Sequence, residues 1–181
     1  MKGDSKKSEW IAETYDLFHL DVYRFLMSFT GSKSDAEDLT QETFMQLLKS
    51  SESIMNKKNP KTWILKVAKY KAIDHHRKRK FTVFSKEKFI KEVPAEGLNL
   101  DDNIIENEAL KELMDCISSL KPTFKLVVIL RGINELSTAE TAAVLQCSES
   151  KVKTTYHRAL KQLKSKLTNH SKGGNFLENV R

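Results

Sequence analysis

In every segment of this chain but one, apolar residues return at intervals of three and four, and that regularity removes most folds from consideration. From Ile11 the apolar positions run Ile11, Tyr15, Phe18, Val22, Phe25 and Phe29, a single buried stripe along a helix that Gly31 should stop. A second helix is predicted from Ser34, with Glu37 three residues on completing a capping box, to about Lys49. A third opens where Asn59 can cap and Pro60 occupies the first turn without losing a needed hydrogen bond, and it continues through Trp63, Ile64, Val67 and Ala68 into "IDHHRKRK". Further on, Ile105, Ala109, Leu113, Cys116, Ile117 and Leu120 mark a fourth helix, and residues 122–131, ahead of Gly132, a fifth. Ser137 and Glu140 form a capping box for a sixth. "QCS" at 146–148 is a tight turn, and Ser148 caps the last helix. No segment alternates over strand length, so the expected class is all-α.

The exception is residues 81–103, which lose the helical period and contain Pro94 and Gly97. A connection this long is unusual inside one compact domain. The chain therefore divides into two small helical domains, 8–80 and 104–169, with a flexible linker at 81–103 and a tail at 170–181. Charge follows the same division. Residues 57–91 carry thirteen Lys/Arg against Asp74 and Glu87, residues 149–172 carry seven against Glu149, and residues 92–115 hold eight Asp/Glu against Lys111. With a formal charge of +7, two basic blocks separated by an acidic one suggest two contact points on a polyanion.

Other classes fit less well. No apolar run approaches the roughly 20 residues that span a bilayer, and "MKGDSKKSEW" has no signal-peptide core, so a cytoplasmic protein is expected. Cys116 and Cys147 lie far apart with no Cys-x-x-Cys pattern, indicating neither a zinc site nor a disulfide framework. "DHH" at 74–76 resembles the Asp-His-His of a metal-dependent phosphoesterase, but there it ends a strand. Here it ends a helical pattern, consecutive helical residues point about 100 degrees apart, and the paired acids elsewhere, Asp101 and Asp102, fall in the linker. Asp74 is either an orienting partner for a cation or a packing residue. No metal and no cofactor are expected.

Two helices carry opposite chemistry. On the last, "ESKVKTTYHRALKQLKSKL", Val152, Tyr156, Leu160, Leu163 and Leu167 should pack inward, leaving Lys151, Lys153, Thr154, His157, Arg158 and Lys161 outside. Preceded by a capped helix and a short turn, with Ala142 opposite Val152, this is a helix-turn-helix whose second helix enters the major groove. An ordinary amphipathic helix with a wet basic face is the plainer alternative. On the second helix, Ala36, Leu39, Thr43 and Leu47 face inward and Asp35, Asp38, Gln41, Glu42 and Gln46 lie on other faces. That acidic surface suits a basic protein partner, where charge complementarity guides encounter and register.

"DAEDLTQETF", then "KTWILKVAKYKAIDHHRKRK", a linker, and "LSTAETAAVLQCSESKVKTTYHRALKQLK" resemble the two domains of an extracytoplasmic-function RNA polymerase sigma factor, in the family's order, from about Tyr15 to Leu167. The resemblance implies a dissociable specificity subunit, not an enzyme, that binds core RNA polymerase and directs initiation at promoter DNA. It gives Asp38, Gln41 and Glu42 contacts to the clamp helices of the largest catalytic subunit. It places Trp63, Tyr70, Arg77, Lys78, Arg79 and Lys80 on the -10 element, where melted bases are captured on aromatic platforms while cations hold the backbone. Ser150, Lys151, Lys153, Thr154, His157 and Arg158 fall on the -35 element. A membrane-associated anti-sigma factor is implied as a regulator. A regulator that binds DNA alone through its C-terminal half is the competing reading, which leaves the acidic helix without a role. Three departures stand out: Tyr70 where many relatives have Asn, Gln146 where the turn usually has Gly, and "SESKVKTT" for a commoner Pro-x-Gly-Thr-Val-Lys-Ser pattern.

Overall fold

The computed structural model describes residues 2–55, 59–86 and 108–170, all in helices and the turns that join them. The elements in order are α1 (Lys2–Thr30), α2 (Lys33–Ile54), α3 (Pro60–Lys86), α4 (Glu108–Ser118), α5 (Pro122–Val128), a π-type turn (Ile129–Ile133), α6 (Thr138–Leu145) and α7 (Glu149–His170). The all-helical expectation holds among the described residues.

Helix boundaries follow the capping chemistry, with corrections. Gly31 ends α1 at φ 73°, a conformation glycine adopts without strain. The cap of α2 is Ser32, whose hydroxyl accepts from Asp35 N at 3.3 Å, and not Ser34. A serine in extended conformation just ahead of the first helical residue can reach an orphan amide, which one already inside the first turn cannot. Asn59 caps α3 as expected, accepting from Thr62 N at 3.1 Å. That helix runs to Lys86, past the linker boundary expected at 81; the remainder of that linker, from residue 87, lies outside the described residues. Gly132 does not end α5. The helix widens there into the π-type turn, closed by Asn134 N to Ile129 O at 2.9 Å and Leu136 N to Leu130 O at 2.9 Å.

The N-terminal three helices pack around Val22, Phe25, Leu26, Ala36, Leu47, Ile64, Leu65 and Ala68, each without exposed surface. In the C-terminal region α4, α5 and α6 pack against α7 through Ile117, Leu126, Val144, Ala159 and Leu163. The two regions are packed against each other. α1 meets α4 and the π-type turn, α3 meets α6, and their buried residues form one continuous apolar cluster. Polar ties cross this seam: Asn134 Nδ2 donates to the Asp21 carbonyl at 2.8 Å, and Asn59 Nδ2 lies 3.4 Å from Glu140 Oε1. Among the described residues no helix is long and apolar enough to cross a membrane.

Candidate nucleic-acid interface

The helix-turn-helix is built from backbone capping outward. Ser137 Oγ accepts from Glu140 N at 3.1 Å and Glu140 Oε2 accepts from Ser137 N at 2.9 Å, the reciprocal capping box that starts α6. The bonds from Ser137 hold the Glu140 carboxyl below the usual carboxylate range. α6 ends at Gln146, which takes the left-handed conformation, φ 57° and ψ 49°, while Cys147 N reaches back to Ala142 O at 3.1 Å. Ser148 Oγ then accepts from Lys151 N at 3.2 Å and starts α7. Val127, Ala142 and Val152 pack together beneath the turn, fixing the angle between α6 and α7.

On α7 the inward set is Val152, Ala159, Leu163 and Leu167, with Tyr156 half-buried. Leu160, expected inward, is 41% exposed. Position 159 continues the 152-156-163-167 stripe, and 160 lies one residue, about 100 degrees, away from it. Ser150, Lys151, Lys153, Thr154, His157 and Arg158 are all exposed on the outer face. The Thr154 hydroxyl bonds back to Ser150 O at 3.0 Å.

On α2, Asp38, Gln41 and Glu42 are exposed, and Met45 and Leu48 leave apolar surface beside them. Glu42 Oε2 pairs with Lys71 Nζ at 2.8 Å, which joins the acidic surface to α3. Sequence reasoning passed over Lys71, because its partner lies on another helix 29 positions away.

The basic end of α3 is held by carboxylates. Asp74 receives Arg77 Nη2 at 2.9 Å and Lys78 Nζ at 2.8 Å, and the Lys78 bond is the main cause of an Asp74 carboxyl below its usual range and a Lys78 ammonium above its own. Asp74 is thus a partner for cations and not a core residue. Asp35 sits 3.6 Å from Arg79 Nη1 and 3.5 Å from His75 Nε2. His76 turns elsewhere, edge-on to the Phe29 ring. Lys80 lies on the α3 backbone beside them. Cys116 and Cys147 are both free thiols, and burial raises the Cys116 pKa.

Trp63 is half-buried against the core, whereas Tyr70 is 51% exposed. Next to it Lys69 is buried, a lysine inside the apolar run "WILKVAKY" that sequence reasoning did not single out. Its ammonium donates to Val144 O, near the C-terminus of α6, at 3.0 Å and lies 4.1 Å from the Tyr70 ring centroid. Burial, then the Lys66 charge, lowers its pKa. Tyr70 Oη donates to Gln146 Oε1 in the turn. A cavity of about 170 Å³ opens beside these contacts, bounded by Lys69, Ile73, Leu126, Cys147, Lys151 and Thr155 among others.

Comparison with known proteins accounts for both regions. Residues 14–82 match the family model for sigma-70 region 2, and residues 110–163 match that for sigma-70 region 4. The chain is 35% identical to the ECF RNA polymerase sigma factor SigX of Bacillus subtilis (strain 168) over 154 residues, covering 83% of this chain and 79% of the relative. It is 32% identical to SigM of the same organism over 156 residues, covering 86% and 93%. Among solved structures, its fold is similar to the sigma factor RpoE in complex with the anti-sigma factor NepR from Bartonella quintana, with a TM-score of 0.73, 22% identity and coverage of 87% of this chain and 96% of that one. It is also similar to CnrH in complex with the cytosolic domain of CnrY, with a TM-score of 0.68, 18% identity and 91% of both chains covered. Two sigma-70 regions in the family's order, with relatives aligned along most of both chains, mean that this chain belongs to the extracytoplasmic-function RNA polymerase sigma factors of the sigma-70 family.

Proposed function

We propose that the chain works in the cytoplasm as the promoter-specificity subunit of RNA polymerase, with core binding on α2, -10 recognition on α3 and -35 recognition on α7. The observation that carries the residue assignments is the separation of charge by helix: an exposed acidic face at Asp38, Gln41 and Glu42, and an exposed basic face at Lys151, Lys153, His157 and Arg158. Like charge repels a phosphate backbone, so the α2 face suits the clamp helices of the largest catalytic subunit and the α7 face suits DNA. On α7, Lys and Arg reach guanine edges or phosphates, and Ser150 and Thr154 add polar contacts.

The -10 contacts fall to Trp63 and Tyr70 as aromatic surfaces, with Arg77, Lys78, Arg79 and Lys80 along the strand. The first three cations already have carboxylate partners, so phosphates must compete with Asp74 and Asp35 for them. Residues 8–80 and 104–169 then act as the two recognition units, with the connection between them beginning only after α3 ends at Lys86. The similar folds solved as complexes, RpoE with the anti-sigma factor NepR and CnrH with the cytosolic domain of CnrY, support control of this chain by an anti-sigma factor, which we propose is membrane-associated.

Charge reversal tests the division of labour. Glu42→Lys should weaken association with core polymerase in a binding assay while leaving the α7 contacts to -35 duplex intact. Unchanged core association removes Glu42 from that surface.

A further inference from the structure

Two of the three departures from the family pattern are single residues, Tyr70 on α3 and Gln146 in the helix-turn-helix turn, and they lie 76 positions apart in sequence. In the folded chain they are hydrogen-bonded to each other, Tyr70 Oη donating to Gln146 Oε1. Each is otherwise hard to explain. Gln146 occupies φ 57°, ψ 49°, which glycine adopts freely and a residue with a β-carbon resists. A glycine there would end α6 equally well. Tyr70 is a large aromatic with half its surface exposed.

We infer that Tyr70 and Gln146 form a latch that holds the C-terminal region closed against α3, and that the latch withholds Tyr70 from DNA while it is shut. The second clause rests on the -10 role proposed for Tyr70; the first rests on geometry alone. The latch does not act by itself. Lys69, one residue before Tyr70, donates to Val144 O, two residues before Gln146, so two successive α3 side chains grip the C-terminal end of α6. The Lys69 ammonium also sits over the Tyr70 ring, holding the phenol toward the turn. Across the same seam, Lys125 of α5 is buried with its ammonium 5.2 Å from the ring centroid of Phe29 on α1.

The consequence is a choice between two partners for one side chain. Bases stacked on Tyr70 must displace the turn, and the turn belongs to the element assigned to the other half of the promoter. Closure and -10 reading through Tyr70 therefore exclude each other. The side chain of Gln146 offsets its backbone strain only while the regions are together.

Lysine acylation footprinting of the full-length protein, read by mass spectrometry and normalised to exposed Lys153, tests the latch. Lys69 and Lys125 are buried when the regions are closed, and Lys125 is remote in sequence from both substitutions. Gln146→Gly keeps a residue suited to the left-handed turn, and Tyr70→Phe keeps the ring. Each should speed acylation of Lys69 and Lys125 by about two- to tenfold, the range set by one hydrogen bond, with helical circular dichroism unchanged. The double variant should be no faster than the faster single, because both remove the same contact. Unchanged Lys125 acylation in either single variant, or two effects that multiply, overturns the latch. The footprint reads closure in the free chain and is indifferent to whether Tyr70 meets a base. A failed -10 role thus leaves the latch standing, and a failed footprint leaves the -10 role standing.

Discussion

At position 125 a lysine is 8% exposed, facing an aromatic ring, and burial pushes its pKa down to about 8. The sign of its effect follows. With a folded pKa below the ordinary 10.5, the unfolded chain binds more protons between about pH 8 and 10.5. Stability should therefore rise with pH across that window, and the cost of the buried charge should be fully present below it. Replacing the cation with an apolar side chain of similar length removes the cost. Lys125→Met should stabilise the protein at pH 7 by about 1–3 kcal/mol and flatten the rise above pH 8, measured by urea unfolding at several pH values. Such a residue is not legible in the sequence, where Lys125 is one more basic position in a basic chain. The same holds for Lys69, whose burial depends on α6 arriving from 75 positions away. What the residues did show in advance were the capping groups, because Asn59, Ser137, Glu140 and Ser148 act on amides within three residues of themselves.

At the scale of elements, α7 carries both the packing and the proposed recognition, and its two faces make different predictions. Leu163 is 7% exposed and Leu160 41%, so Leu163→Ala should cost about 2–5 kcal/mol while Leu160→Ala stays within roughly 0.5 kcal/mol in the same unfolding assay. On the outer face, Lys153→Ala or Arg158→Ala should cost about 1–3 kcal/mol of -35 binding and relax preference at one base if the side chain reads a base edge. If it holds a phosphate, binding should weaken alike on all sequences, and the slope of affinity against salt should fall. Quantitative mobility shifts on point-substituted duplexes at several salt concentrations separate the two. At the start of α6, Ser137→Ala should cost about 1 kcal/mol, since it removes the hydroxyl from the capping box. The inward face of α2 was legible because Ala36, Leu39, Thr43 and Leu47 keep strict helical spacing. α5 was misjudged because a π-type turn adds a residue to the period and carries Gly132 inside the helix, a widening with no local signature. Leu160 was misplaced because leucine and alanine at adjacent positions both fit a helical stripe, and only the packing of α7 against the other helices selects the smaller one.

For the whole molecule, the sequence pattern supported two helical regions with opposite charge on separate helices, and the family models cover both. It could not show that the regions close on each other, since the seam is made by α1, α3, α6 and the π-type turn meeting across long chain separations. The closed arrangement brings α3 and the helix-turn-helix turn into direct contact, Lys69 and Tyr70 meeting Val144 and Gln146. The most direct measurement is reconstituted transcription on genomic fragments with core polymerase, with and without this protein, followed by sequencing of the RNA 5′ ends. The protein should create a set of start sites absent from core enzyme alone, each preceded by the same two short elements at constant spacing. An identical start-site pattern with and without the protein would contradict its role as a specificity subunit.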